Sequence, residues 1–290
     1  MTATFVFALS LTASLPQSAT WTQAVEPFEL ADDLYYVGTA DLASYLFASP
    51  QGHILIDVPL EENVDLIVAN VRRLGFDPED IGVLLASHAH FDHVGGLSRM
   101  REITGAQVLL SEADAIMIAS GGEGPAGAGP RYPPVRADRT IKHLETVTVG
   151  DWTLTAQLTP GHTPGCTSWS GEATIQGEQF TFVSVCSLSV LANFRLGGAD
   201  ETYPGMGSDY CRSLTILDAL EPDLFLATHG SFIGLERKAA ALREGNPRAF
   251  VDRAGYESYL DRAWSSVDRA LEAGGRVAGC PRGPRGRAPN

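Results

Sequence analysis

Basic residues are scarce in this chain. Lysine and arginine total 21 against 35 aspartates and glutamates, a formal net charge of −14 over 290 residues. A surface that acidic repels phosphate backbones, which argues against nucleic-acid substrates. The few bases likewise argue against a polybasic membrane anchor. Long apolar runs are missing too. The run at residues 5–15 is far shorter than the roughly 20 residues a membrane-spanning helix needs, but it suits the apolar stretch of a secretory leader. That leader, MTATFVFALSLTASLPQSATWTQA, has no positive flank, since the first basic residue is Arg72. Small residues at Thr12-Ala13-Ser14 and Thr22-Gln23-Ala24 nevertheless stand at cleavage positions. Residues 1–24 are therefore expected to be a signal peptide, with the mature protein periplasmic and acting without a membrane.

Cysteine is also sparse, and four of them fit an exported protein with one or two disulfides. Hydrophobic residues make up 44% and charged residues 19%, ordinary for a globular protein with ample core. No internal repeat or linker divides the chain, so residues 25–275 are expected to form one domain. The stretch GGRVAGCPRGPRGRAPN has no apolar periodicity, and residues 276–290 are expected to be disordered.

Histidine is where the chain concentrates chemistry. Of seven histidines, three fall with an aspartate inside six positions, in Ser87-His88-Ala89-His90-Phe91-Asp92-His93. Imidazoles this crowded repel one another when protonated, and an apolar core rejects them unless something compensates. A divalent metal does. Two later segments repeat the design of an apolar strand running into a histidine-bearing turn: TAQLTPGH ends on His162, and LFLATHG carries His229. Strand ends are held rigidly by the sheet behind them, which suits metal ligation. His53 opens a strand and His143 lies in a mixed polar run. Both are expected to be surface or half-buried structural residues.

Short apolar runs alternate with helical spacing along the chain. Strands are expected over residues 34–37, 44–48, 53–58, 81–86, 107–110, 143–149, 153–158, 167–173, 180–185 and 223–227. Helices are expected over residues 61–74, 95–103, 112–118, 209–220 and 256–273. Residues 120–134, SGGEGPAGAGPRYPP, read as a loop with almost nothing to pack, bordering the cleft. The interleaving points to α/β layers with mixed sheets.

These residues resemble the metallo-β-lactamase superfamily and, within it, the lactamases of subclass B3. The resemblance runs from roughly Trp21 to Ala273. It rests on EPFELADDLYYVGTADLASYL, the histidine cluster, TPGHTPGCTSW at 159–169 and SLSV at 187–190. It implies a four-layer αββα sandwich with the metal site at one edge of the two sheets. It assigns His88, His90 and His162 to one Zn2+, and Asp92, His93 and His229 to a second. It further implies hydrolysis of the amide of a small β-lactam antibiotic by a monomeric resistance enzyme. In that chemistry a zinc-bound hydroxide attacks, Asp92 orients it, and Ser187 and Ser189 hydrogen-bond the substrate carboxylate. Asp57, in Asp57-Val58-Pro59, is expected to orient a ligand from beneath the site, although many members have Asp-Thr-Gly or Asp-Gly-Gly there.

The superfamily also holds lactonases and thioester hydrolases, most of which place a metal-bridging aspartate after the strand that follows the third histidine. No carboxylate occurs from Thr181 to Leu196 in this chain, which favours the lactamase over these alternatives. A further alternative is a zinc-binding protein without catalysis. Subclass B1 lactamases use a cysteine ligand in this strand. Here the matching position is Ser187, and a thiolate from Cys186 would make His93 redundant. A hairpin turn centred on Gln176 would instead place Cys166 opposite Cys186, with Cβ atoms about 4.5–5.5 Å apart, near disulfide range. Cys211 and Cys280 are left either paired or free.

Overall fold

The computed structural model describes residues 19–275 and Cys280. The expected signal segment over residues 1–18, and the tail apart from Cys280, lie outside the described residues. Residues 19–24, expected in the leader, are packed onto the domain. Ala24 bridges Thr39, and the Trp21 carbonyl accepts from the Asn63 side chain at 3.2 Å.

Twelve strands and eight helices follow in order among the described residues. They are β1 (Phe28–Ala31), β2 (Leu34–Tyr36), β3 (Tyr45–Phe47), β4 (His53–Ile56), α1 (Val64–Arg73), β5 (Ile81–Leu85), α2 (Phe91–Val94), α3 (Leu97–Thr104), β6 (Gln107–Ser111), α4 (Glu112–Ala119) and β7 (Arg139–Ile141). The second half holds β8 (Thr146–Val149), β9 (Trp152–Leu158), β10 (Thr167–Ile175), β11 (Glu178–Val185), α5 (Met206–Asp218), β12 (Leu224–Ala227), α6 (Gly230–Ile233), α7 (Leu235–Arg243) and α8 (Arg253–Ala273). Strands β1 to β7 form one mixed sheet in sequence order, and the second sheet runs β12-β11-β10-β9-β8. The layers are those of the αββα sandwich.

Alternation explains the layering. In β4, Ile54 and Ile56 enter the core between the sheets, whereas Leu55 enters a separate core under the helices. In β6 the same split puts Leu109 on one side and Val108 and Leu110 on the other. A strand buried on both faces reads as an unbroken apolar run, and its two-residue period then feeds two cores. Helix α1 buries Val64, Ile67, Val68 and Val71 and stops before Gly75, whose φ of +91° a β-carbon would strain.

Several elements differ from the expectation. Strands β1 and β7 and helix α7 carry little apolar signal of their own, being FELA, RTI and LERKAAALR. Tertiary contacts hold them. Lys238 of α7 is buried, pairs with Asp252 at 2.8 Å and lies over the Phe225 and Phe250 rings. Strand β8 begins at Thr146 because Leu144 turns the chain with a φ of +64°. His53 is 4% exposed, not half-buried, with Nδ1 accepting from the Ser49 N–H at 3.3 Å. The 120–134 loop is better packed than its composition suggests, for Ala126 and Tyr132 are buried.

The β10–β11 ladder pairs Trp169 with Ser184 and Ile175 with Glu178. Its two-residue turn therefore centres between Gln176 and Gly177, which both have positive φ, the signature of a tight hairpin. That half-residue displacement means Cys166 and Cys186 are not directly opposed. They sit just beyond the two strand ends, with Cα atoms 5.9 Å apart, and the structure joins them there. A second bridge joins Cys211 to Cys280.

Candidate metal centre

Four strand ends meet at one edge of the sandwich. Strand β5 delivers His88 and His90 and, on the first turn of α2, Asp92 and His93. Strand β9 leads to His162, β12 to His229, and β4 to Asp57. The turn after β4 is tight against the cluster: Asp57 has a φ of +62°, and the Val58 N–H donates to the His93 carbonyl at 3.0 Å. Glycine is required beside it, since a β-carbon on Gly96 would lie 2.6 Å from the Val64 side chain and 2.9 Å from the Leu60 carbonyl oxygen.

The five histidines and Asp92 fall into two groups, His88–His90–His162 and Asp92–His93–His229, whose candidate ligand atoms lie within 4.8 Å of one another in each. The groups adjoin, the His88 and His93 ring centroids being 4.2 Å apart. His53 and His143 join neither.

Four of the five imidazoles hydrogen-bond the protein through one nitrogen and leave the other toward their group, whereas His93 Nδ1 is buried without a hydrogen bond. His88 Nδ1 lies 3.1 Å from Ser87 Oγ, which itself donates to Asp57 at 2.7 Å. The second nitrogen, Nε2, is buried without a partner. His90 donates through Nε2 to the Ala126 carbonyl at 2.7 Å, and His162 through Nδ1 to the Ser189 carbonyl at 2.7 Å. His93 Nδ1 faces Asp57 at 3.4 Å, and His229 Nδ1 faces Asp41 at 3.1 Å. Histidine ligands of metals are held in this way, the outer partner fixing tautomer and ring orientation. The inward nitrogens of His93 and His229 lie 3.5 and 3.7 Å from Asp92 Oδ2.

Electrostatics agree with a cation site. Burial, aided by the neighbouring imidazoles, pushes His88 and His162 well below the usual histidine range, so both present unshared lone pairs. Burial also lowers His90. Asp92 would be raised by burial, but His93 and His229 outweigh that and hold it ionised. His93 goes the other way: burial opposes its charge, yet Asp92 and Asp57 push it up to about 10, so cation binding there displaces a proton. Two imidazole-rich groups around one carboxylate, one of them of three histidines held neutral and including His88 Nε2, buried with no partner, fit divalent metal.

Two supporting carboxylates escaped the sequence reading. Asp41 accepts from Ser231 N–H at 2.8 Å and Trp21 Nε1 at 3.2 Å besides facing His229. Burial works against its charge, but these bonds hold its carboxyl at about 2. Asp114 ties two ligand loops together, accepting from Ala89 N–H at 3.0 Å, Thr163 Oγ1 at 2.9 Å and Gly165 N–H at 2.9 Å. Burial pushes it up to about 7 against those bonds. Asp41 lies within the segment EPFELADDLYYVGTADLASYL but nothing local marks its role, and Asp114 sits in no motif; distant neighbours reveal both. Asp57 occupies its expected place with both oxygens on Ser87. Ser187 is 3% exposed, its Oγ accepting from Ser189 N–H at 3.3 Å, whereas Ser189 is half-buried. Cys186 is tied up in its disulfide.

The family model described as the metallo-beta-lactamase superfamily matches residues 42–173. Among solved structures, BJP-1 from Bradyrhizobium japonicum, a subclass B3 metallo-beta-lactamase, is 35% identical, with 89% of this chain and 97% of that one covered and a TM-score of 0.82. LRA-12, a class B3 di-zinc metallo-beta-lactamase from an Alaskan soil metagenome, is 30% identical over 89% of this chain and 98% of its own, with a TM-score of 0.83. The chain belongs to the metallo-β-lactamase superfamily and is a hydrolase. Within that superfamily its structural neighbours are the subclass B3 enzymes. A hydroxyacylglutathione hydrolase of Fuscovulum blasticum is also related, at 26% identity over 62% of this chain; the chain spans 60% of that relative's length. No helix among the described residues is long and apolar enough to cross a membrane.

Proposed function

We propose that this protein is a periplasmic, monomeric β-lactamase that uses two zinc ions to hydrolyse the lactam amide of β-lactam antibiotics. The observation that carries the reading is the pair of candidate ligand groups, backed by Ser87, Asp57, Asp41 and two backbone carbonyls, in a chain 35% identical to a subclass B3 enzyme across 97% of that enzyme. His88, His90 and His162 would hold one ion, and Asp92, His93 and His229 the other. Bound zinc supplies a Lewis acid for the lactam carbonyl and brings the pKa of coordinated water to about 7.

The protein's own groups do the rest. Asp92, anionic and turned toward His93 and His229, orients the attacking water and accepts its hydrogen bond. Asp57 and Asp41 fix His93 and His229 in the tautomers that ligate. Ser187 and Ser189 meet the substrate carboxylate, the Ser187 hydroxyl, which accepts from the Ser189 N–H, keeping its own hydrogen to donate. Solvent protonates the departing nitrogen. Strand β11 ends without a carboxylate, which by family resemblance favours the lactam over a thioester or lactone.

Elemental analysis with steady-state hydrolysis tests this. Two zincs per chain and turnover of a carbapenem, well above that of an acyl-homoserine lactone or a glutathione thioester, are expected. Zinc-replete protein that leaves the carbapenem intact while cleaving the thioester reverses the reading.

A further inference from the structure

The Cys166–Cys186 bridge lies inside the frame of the candidate metal centre. Cys166 follows His162 in the turn between β9 and β10, and Cys186 opens the stretch that leaves β11 for Ser189. The Ser189 carbonyl comes back to accept from His162 Nδ1 at 2.7 Å. Residues 162–166, the disulfide, residues 186–189 and that hydrogen bond therefore close a small ring. All of it is covalent except the bond that orients a candidate ligand. Both cysteines are fully buried.

Cys186 also touches segments that carry other candidate ligands. Its Sγ lies 3.2 Å from the carbonyl oxygen of Ser87, next to His88, and its carbonyl accepts from Thr228 Oγ1, next to His229, at 2.8 Å. Those two histidines have support of their own, because β5 pairs with β4 and β6, and β12 pairs with β11. Beyond β11 no ladder holds the Ser189 peptide among the described residues. Tyr210 Oη donates to the same Ser189 carbonyl at 2.7 Å, and Leu188 N–H donates to Tyr259 Oη at 3.2 Å. Both tyrosines stand on helices, α5 and α8, so they tie the stretch to the helical layer. The disulfide ties it to the His162 turn. A hydrogen bond across a short closed ring costs little entropy to keep, and one between separately tethered segments costs more.

We propose that the Cys166–Cys186 bridge is a positioning element of the first ligand group: it keeps the Ser189 carbonyl on His162 Nδ1 and thereby sets the metal affinity of His88, His90 and His162. This rests on reading those residues as a zinc site. The bridge touches no metal and acts through His162.

The test uses two double variants, Cys166→Ala with Cys186→Val, which keeps most of the packed volume, and Cys166→Ser with Cys186→Ser. Replacing both cysteines leaves no thiol to compete for the cation. Cys211→Ser with Cys280→Ser is the control. It opens the longer loop, of 69 residues against 20, and so costs at least as much stability, while the hydrogen bonds of α5 keep Tyr210 in place. Zinc competition against a chelating dye resolves two binding steps, assigned with His90→Ala for the first group and His229→Ala for the second. Both bridge variants weaken the first-group step about tenfold, the low end of the cost of losing an outer partner. They leave the second step within about twofold, as the control leaves both. In metal-free protein, proton NMR shows the His162 Nδ1–H exchanging with water at least about tenfold faster in the bridge variants than in parent or control. Equal weakening of both steps, the same weakening in the control, or an unchanged first step overturns the proposal. So does failure of both bridge variants to fold in the presence of zinc, because the disulfide then serves the fold rather than the ligand. Failure of the underlying reading looks different: the parent protein then takes up no zinc in either step, and the proposal falls with it.

Discussion

Replacing Asp41 by asparagine tests how the second ligand group is held. The partners of this carboxylate are donors: Ser231 through both its N–H and its side chain, Trp21 Nε1 and, at the candidate metal site, His229 Nδ1. An amide has one oxygen to offer them, so its NH2 must face at least one donor. The Asp41 carboxyl is lowered from 3.8 to about 2, and a difference of that size corresponds to about 2 kcal/mol of stability at neutral pH. The side chain is only 15% exposed, so solvent screens little of it. For a domain of this size the loss lowers the melting temperature by about 4–8 °C. Because the folded carboxyl lies below its unfolded value, the contribution is complete above about pH 4 and disappears as pH falls toward 2. The gap between parent and Asp41→Asn should therefore close over that window. His229 also loses its orienting acceptor, and loss of such an outer partner costs about 10–100-fold in metal affinity. Thermal melts of metal-free protein across pH, with zinc competition against a chelating dye, measure both effects. A variant that melts within about 1 °C of the parent and competes for zinc equally well refutes the reasoning.

Asp92→Asn removes the only anion from the six candidate ligands and should cut carbapenem turnover at least about 100-fold, with a fall in bound metal seen by elemental analysis. Chelation should abolish activity and lower the melting temperature, and zinc should restore both; metal-independent turnover would contradict the site. Denatured, unreduced protein should titrate no free thiol. Closing loops of 20 and 69 residues is worth about 3 and 4 kcal/mol in the chain-entropy model, so reduction should lower the melting temperature sharply. Asp114, raised to about 7, keeps its proton longer in the folded state. Its contribution to stability thus declines as pH rises from about 4 through 7, and Asp114→Asn should remove that slope from the melting profile.

The six candidate ligands were legible because their signal is local. Three apolar runs each end in histidine, and the backbone rule that places ligands at strand ends needs no knowledge of how the strands pair. Asp41 and Asp114 left no such mark. Asp41 acts on a residue 188 positions away, and Asp114 on loops 25 and 49 positions away. The cysteines mark a boundary case. The hairpin was legible, but its register depends on whether one or two residues make the turn, and that choice decides which residues face each other.

The sequence by itself determined the candidate ligand types, their attachment to rigid strand ends, and the two-faced apolar strands that demand a layered sandwich. These follow from side-chain identity and a two-residue period, both local properties. Tertiary structure alone decided which nitrogen of each histidine faces inward and which carboxylates stand behind them. It also decided that the Ser189 carbonyl turns back onto His162, so that the Cys166–Cys186 bridge closes a ring around that residue. Those outcomes depend on how separate elements pack, and packing distances are set by the whole core rather than by any segment of it.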